Sequence, residues 1–512
     1  MDILSALQGL LSSEVIFAVL LGTAGGIVIG ALPGLSATMG IALLIPLTYG
    51  MGPIAAIAML ATVYTSAVYG GSISAILIHT PGTPASAATA LDGYKLQQQG
   101  KGFKALGVST AASVIGGVIS GFALLFISPQ LAKVSLMFSS GEYFLIAVFG
   151  LTIIGSLAGD NMVKGIIAGC LGLMVGLIGM NTTAFSRWSF GNVHLMAGIN
   201  TVPAMIGLFS IPQVLDLVEQ RRKASANEEF AEQEERVKAV QAARDSIKGR
   251  FLPTGKEFKR ILPTIIRSTI IGIFVGILPG AGGDIGSWVS YNEAKRASKH
   301  PEEFGKGSIE GIAASEAGNN AVCGGALIPM LTLGIPGSAA VAVLQGGLII
   351  QGLNPGWELF SKYADMTYSI IIAFIVANIL MGVFGMFLSK YAVKLSLLPP
   401  GILMPSIVIL SVIGSFCINR TMFDVSVMLV FGLIGYLMRK FRIPAAPVVL
   451  AIILGPMAER NLIQSISMSY GKVVSYYLSR PLCVAFLVLI VVALLSPTIG
   501  KVLNKKIHKK YE

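Results

Sequence analysis

Four Pro-Gly breaks interrupt the apolar stretches of this chain, and they are where its chemistry is expected. They read Leu32-Pro33-Gly34-Leu35-Ser36, Thr80-Pro81-Gly82-Thr83-Pro84, Leu278-Pro279-Gly280-Ala281-Gly282-Gly283 and Ile335-Pro336-Gly337-Ser338. Proline removes a backbone donor and glycine admits unusual dihedrals, so each break frees peptide groups that protein, water or ligand must satisfy. A helix restarting after a break presents free N–H groups and the positive end of its dipole, which suits a carboxylate. Hydroxyls at Ser36, Thr38, Thr83, Ser86 and Ser338 add neutral donors there, while unwound carbonyls could hold Na+. The competing reading is that each break only kinks a helix for packing.

A second constellation is Glu316, Asn319 and Asn320, which spacings of three and four place on one helix face. An ionisable group inside a membrane segment tends to face a cavity or a partner, so Glu316 is a candidate for proton or cation coupling. The alternative places it at the cytoplasmic mouth among solvated charges such as Glu310 and Lys306. Asp284, following the third break, is a second ion-coupling candidate or a helix cap. His79, beside the second break, could titrate or serve as a hydrogen-bonded structural residue. No catalytic residue and no metal-ligand cluster is expected. Cys170, Cys323, Cys417 and Cys483 stand singly, and His-Glu-x-x-His, Gly-x-Ser-x-Gly and the Walker A pattern do not occur.

The elements carrying these residues must be membrane helices. Of the 512 residues 54% are hydrophobic and only 12% charged, with 60 glycines and a mean hydropathy of +0.77, which excludes an ordinary soluble domain. The net charge of +12 needs no nucleic-acid partner, because basic residues gather in the cytoplasmic loops of polytopic proteins. The expected architecture is an all-α polytopic membrane protein with roughly 12 to 15 membrane segments, some broken or re-entrant.

The chain repeats itself. Gly30-Ala31-Leu32-Pro33-Gly34 answers Gly276-Ile277-Leu278-Pro279-Gly280, Gly70-Gly71 with Thr80-Pro81-Gly82 answers Gly324-Gly325 with Ile335-Pro336-Gly337, and Ile154-Gly155-Ser156 answers Ile413-Gly414-Ser415. The expected organisation is a first transmembrane repeat over 1–218, a charged cytoplasmic linker over 219–262, a second repeat over 263–480, and an extra helix with a basic tail over 481–512. Loop charge makes the repeats inverted. Lys95, Lys101 and Lys104 have no basic counterpart between Gln351 and Trp357, whereas Lys295, Arg296, Lys299 and Lys306 answer the uncharged turn at Tyr49 to Gly52. The N-terminus then lies outside and the C-terminus in the cytoplasm. At the aligned positions of Glu316, Asn319 and Asn320 the first half carries Thr62, Thr65 and Ser66, so the halves differ chemically.

Three stretches carry a resemblance to a known family: Gly30-Ala31-Leu32-Pro33-Gly34-Leu35-Ser36-Ala37-Thr38, the run from Gly71 to Leu91-Asp92-Gly93-Tyr94, and Glu316 to Gly337. Through them the chain resembles the large membrane subunit of the tripartite tricarboxylate transporters. The resemblance implies a location in the bacterial inner membrane and two protein partners, a small four-helix membrane subunit and a periplasmic solute-binding protein. It further implies uptake of a di- or tricarboxylate such as citrate, driven by a sodium or proton gradient, with no other cofactor. An organic-anion channel and an intramembrane enzyme are the alternatives that the residues leave open.

Overall fold

The computed structural model describes residues 3–32, 35–157, 162–181, 185–223, 237–247, 249–278, 282–395 and 400–492. The first half contains α1 (Ile3–Leu10), α2 (Ser13–Ala31), α3 (Ala37–Leu44) running into a 3-10 turn (Ile45–Gly50), α4 (Pro53–Ile78), a 3-10 turn (Pro84–Ser86), α5 (Ala87–Gln98), α6 (Gly102–Ser135), α7 (Ser140–Leu157) and α8 (Met162–Gly176). A two-stranded antiparallel ribbon, β1 (Gly179–Met180) and β2 (Ser186–Arg187), precedes α9 (Val193–Met196) and α10 (Thr201–Lys223). After α11 (237–246) the second half contains α12 (Gly255–Ile277), α13 (Gly282–Ala297), a 3-10 turn (Pro301–Glu303), α14 (Ile309–Leu333), α15 (Ala339–Ile350), α16 (Trp357–Ser361) and α17 (Ala364–Leu395). It ends in α18 (Pro400–Asn419), α19 (Met422–Lys440), α20 (Ala446–Met468), α21 (Val473–Leu478) and α22 (Pro481–Val492).

Among the described residues, nine helices are long and apolar enough to cross a membrane, and five shorter apolar helices accompany them. The protein is an all-α polytopic membrane protein. The order long, short, long, short, long runs through α2 to α6 and recurs in α12, α13, α14, α15 and α17, so the sequence duplication is matched element by element.

Small residues explain the tightest pairings. Gly22, Gly26 and Gly30 fall on one face of α2, where a Cβ on Gly26 would lie 2.8 Å from both the Val63 carbonyl oxygen and Ser66 Cβ of α4. In α12 the same four-residue spacing, Ser268, Gly272 and Gly276, meets α14, and a Cβ on Gly276 would lie 2.7 Å from the Val322 carbonyl oxygen. This is the small-xxx-small packing by which helices approach closely where water provides no drive to associate. Helix α4 is buried from Ala55 to Leu77 and α14 from Ile309 to Thr332. The two central helices therefore carry buried polar groups, whereas Phe122, Phe126, Phe274 and Phe387 of α6, α12 and α17 are exposed, as lipid-facing side chains are.

Two compact units divide the chain as 1–132 with 202–436, and 133–201 with 437–512. Each repeat contributes to both. In the larger unit, Ile27, Tyr69, Leu106, Ile261, Ile312 and Met381 belong to one core cluster. Val240 and Ala243 of α11 join it, so the described end of the charged linker is docked by its apolar face. In the smaller unit, α20 packs on α7 and α8. Two ion pairs brace that unit, Arg187 with Glu459 and Arg480 with the buried Glu142, each at 2.6 Å.

Candidate functional site

The broken segments of the two halves are built alike. Helix α4 ends at His79 and α14 at Gly334, both in the left-handed region with φ of 53° and 73°. In each case an N–H just beyond the helix reaches back six residues, Thr80 to the Ser74 carbonyl at 3.4 Å and Ile335 to the Pro329 carbonyl at 3.3 Å. This left-handed helix end normally takes glycine. His79 adopts it with a side chain, and its ring packs on Tyr94 at 4.5 Å between centroids.

Beyond each stop, a glycine lies against the preceding long helix of its own half. A Cβ on Gly82 would collide with the Gly30 carbonyl oxygen, and one on Gly337 would lie 2.5 Å from the Gly276 carbonyl oxygen. Backbone approaches this close admit only glycine. Pro81 is half-buried and Pro336 buried. Pro33, Gly34, Pro279 and Gly280 lie outside the described residues. The helices that follow breaks in opposite halves pack on one another, α3 with α15, and α13 with α5 and the Pro84–Ser86 turn.

Four of the five predicted hydroxyls are engaged. Ser36 caps α3 by accepting the Met39 N–H at 3.2 Å, and Ser338 caps α15 by accepting the Val341 N–H at 3.3 Å. Ser338 also meets the Tyr64 hydroxyl at 3.3 Å, while Thr83 and Ser86 pair with each other at 2.9 Å. Thr38, half-buried, lies in the first turn of α3.

Glu316 and its neighbours divide into two environments one helical turn apart. The Glu316 carboxyl is fully buried and held only by hydroxyls: Thr89 of α5 donates at 2.5 Å to Oε1, and Ser113 and Ser109 of α6 donate at 3.0 and 3.3 Å to Oε2. Among the described residues no cation lies within ion-pair distance of it. That placement removes the reading in which Glu316 mixes with solvated surface charges, since Glu310 instead pairs with Arg260 at 2.8 Å.

Asn319 is equally buried, yet neither its Oδ1 nor its Nδ2 has a hydrogen-bond partner among the described residues. Its Oδ1 points at Gly283 in the first turn of α13, where a Cβ would lie 2.5 Å from Asn319 Oδ1 and 3.4 Å from Cβ of Ala85 in the 3-10 turn. The second and third breaks thus converge on an unpaired amide. Asn320 donates to the Glu316 carbonyl at 3.4 Å and leaves its own Oδ1 unpaired.

Gly282, with φ of 67°, opens α13. Asp284 sits in the first turn with an exposed side chain. It is not among the hydrogen-bond partners of Glu316. An isolated buried amide in a membrane protein costs free energy unless something pairs with it. An amide beside a helix start offers both donors and acceptors to a small polar ligand.

Reading the residues alone missed the partners of Glu316. The i, i+4 pair Ser109 and Ser113 on α6 was a legible signal; Thr89 was not, because nothing local ties it to α14. Asp92 was missed as well, although it lies in a quoted motif. Fully buried, its Oδ1 accepts the N–H groups of Gly305, Gly307 and Ser308 at 2.8, 2.9 and 2.8 Å, and its Oδ2 accepts the Tyr291 hydroxyl at 2.8 Å. A first-half carboxylate thus fills an anion nest at the start of α14. Two glutamines make a matched pair of crossed contacts. Gln99, closing α5, donates to the Lys306 carbonyl at 2.9 Å, and Gln351, closing α15, donates to the Thr48 carbonyl at 3.1 Å.

Comparison with known proteins agrees with this construction. An uncharacterised 52.8 kDa protein of Agrobacterium vitis, named for the TAR-I ttuC' 3' region, is 34% identical over 482 residues, 93% of this chain and 92% of its own length. Another A. vitis protein, named for the TAR-II ttuC' 3' region, is 34% identical over 235 residues, 46% of this chain and 97% of its own length. No solved structure gives a significant match. The family described as the tripartite tricarboxylate transporter TctA family matches residues 16–450, and this multi-pass membrane protein, with its duplicated broken helices, belongs to that family of transporter components.

Proposed function

We propose that the protein is the membrane-spanning subunit of a secondary active carrier, without enzymatic activity, that takes up a di- or tricarboxylate across the bacterial inner membrane. A periplasmic solute-binding protein delivers the substrate, a small four-helix subunit completes the complex, and a sodium or proton gradient drives accumulation. The N-terminus is periplasmic and the C-terminus cytoplasmic, which follows from the loop-charge bias and the inverted repeats.

The observation that carries this reading is the unpaired, fully buried Asn319 amide between the first turn of α13 and the turn after the second break. Substrate carboxylates accept from helix N-termini and from the Asn319 amide N–H. Cations offset the remaining charge, held by unwound carbonyls, by Asp284 or by Glu316 with its hydroxyls. Pro33, Gly34, Pro279, Gly280, Pro336, Gly337 and Ser338 belong to the same site by their place at or beside the breaks, and Asn320 by its place next to Asn319.

The test is uptake of labelled di- and tricarboxylates into proteoliposomes holding this chain and the small subunit, with and without the binding protein, under imposed sodium or proton gradients. Accumulation that needs both the binding protein and one gradient is the expected result and names the ion. Equilibration without accumulation would replace the carrier with an organic-anion channel. Chemical conversion of the carboxylate would replace it with an intramembrane enzyme.

A further inference from the structure

Apart from the broken helices, two hollows in the larger unit meet at one residue and differ in character. The first, about 260 Å³, is lined by Lys101, Lys104, Arg250, Thr254 and Glu257 beside Leu252. The second, about 350 Å³, lies between α6 and α17 and is lined by Val114, Ile115, Leu252, Ile379, Val383 and Met386. Leu252 belongs to both. Ile379, Val383 and Met386 are exposed, so the second hollow is an open groove on the outer face of α17.

We infer that these hollows together form a binding site for an anionic phospholipid, the basic hollow taking the phosphate headgroup and the apolar groove one acyl chain. The charge pattern selects the occupant. The acid of the basic hollow, Glu257, is already paired with Lys104 and accepts the Thr254 N–H at 2.8 Å. Lys101 and Arg250 are exposed and have no carboxylate partner among the described residues. Among the described residues, then, two cations without an acidic partner face a pocket with no free acid. Helix α6 runs from that pocket along the groove, and the eleven helical steps from Lys104 to Ile115 span about 16 Å at the helical rise. That length carries a lipid from its headgroup well into its acyl chain. Basic pockets beside membrane helices hold acidic headgroups in this way, each Lys or Arg adding to the affinity. A partner's transmembrane helix would fill the groove but leave Lys101 and Arg250 unanswered.

Native mass spectrometry of the detergent-purified chain, titrated with phosphatidylglycerol or phosphatidylcholine, tests the assignment. Phosphatidylglycerol should be retained about tenfold better. Replacing both exposed bases (Lys101→Gln with Arg250→Gln) should erase the preference, and Val383→Trp, which fills the groove at an exposed position, should weaken both lipids. Inorganic phosphate alone should give no thermal shift approaching that of phosphatidylglycerol. Equal retention of the two lipids, or an unchanged preference in the double variant, would overturn the headgroup assignment. A phosphate shift equal to the lipid's, or Val383→Trp without effect, would overturn the acyl-chain assignment.

Discussion

Helices α4 and α14 occupy equivalent places in the two halves, and each is buried along nearly its whole length. Their polar residues have nonetheless diverged. In α4, Thr62 donates to its own helix at the Met59 carbonyl and Thr65 donates across to Asn378 of α17 at 2.8 Å. Both are ordinary satisfied groups, whereas Ser66, at the third aligned position, has a buried hydroxyl with no partner among the described residues. In α14 the same positions hold a carboxyl gripped by three hydroxyls and an amide with no partner. Duplication supplied two equal scaffolds, of which α4 keeps one unpaired hydroxyl while α14 keeps a carboxyl and a wholly unpaired amide, costlier groups that packing does not require. Buried polarity without a structural payoff is where function is to be sought.

The comparison can be broken most forcefully at Glu316. Glu316→Ala should reduce carboxylate uptake by roughly 100-fold, the equivalent of about 3 kcal/mol, whereas Thr62→Ala should change it less than about threefold. Similar losses in both would mean that the halves contribute equally. Next in size, Asp92→Ala should destabilise the purified chain by about 3 kcal/mol in denaturant titrations, because three peptide N–H groups and Tyr291 lose a charged acceptor. The volume-conserving Leu344→Met, at the matching position of α15, should cost less than about 1.5 kcal/mol.

Asn319 and Thr65 sharpen the contrast in opposite directions. Asn319→Ala should lower uptake about tenfold with no loss of melting temperature, since its amide stabilises nothing. Thr65→Val should leave uptake intact and cost about 1 kcal/mol of stability, because Asn378 loses a donor. The reverse pattern would make Asn319 structural. Smallest of all, Gln99→Ala and Gln351→Ala should each cost about 1 kcal/mol or less, and equally; clearly unequal melting temperatures would mean that the crossed contacts are not equivalent.

Much of this architecture was legible in the residues, because Pro and Gly act locally. Pro81-Gly82 and Pro336-Gly337 mark the ends of α4 and α14 to within a few positions, and the repeat of motifs matches the repeat of helices. The four-residue spacing of Gly22, Gly26 and Gly30, answered by Ser268, Gly272 and Gly276, was equally readable, since helix contacts obey a fixed period. What could not be read was pairing between segments more than two hundred positions apart. Nothing around Thr89 announces Glu316, and nothing around Asp92 announces a nest at Gly305 to Ser308. Asp284 illustrates the same limit, for its sequence neighbours left it an ion-coupling candidate or a helix cap, and its exposure in the first turn of α13 follows only from the fold.

The crossed packing of the helices that follow the breaks also governs biogenesis. Thr89 waits for a partner 227 positions downstream, and Asp92 for one 213 to 216 positions downstream. At ribosomal rates of roughly 5–20 residues per second, α5 spends on the order of tens of seconds with Asp92 and the Thr89 hydroxyl unanswered. The first half therefore inserts as an unfinished piece that the second half completes on arrival. Insertion and maturation of this protein are separate events, and the interval between them is when it is most exposed to quality-control proteolysis.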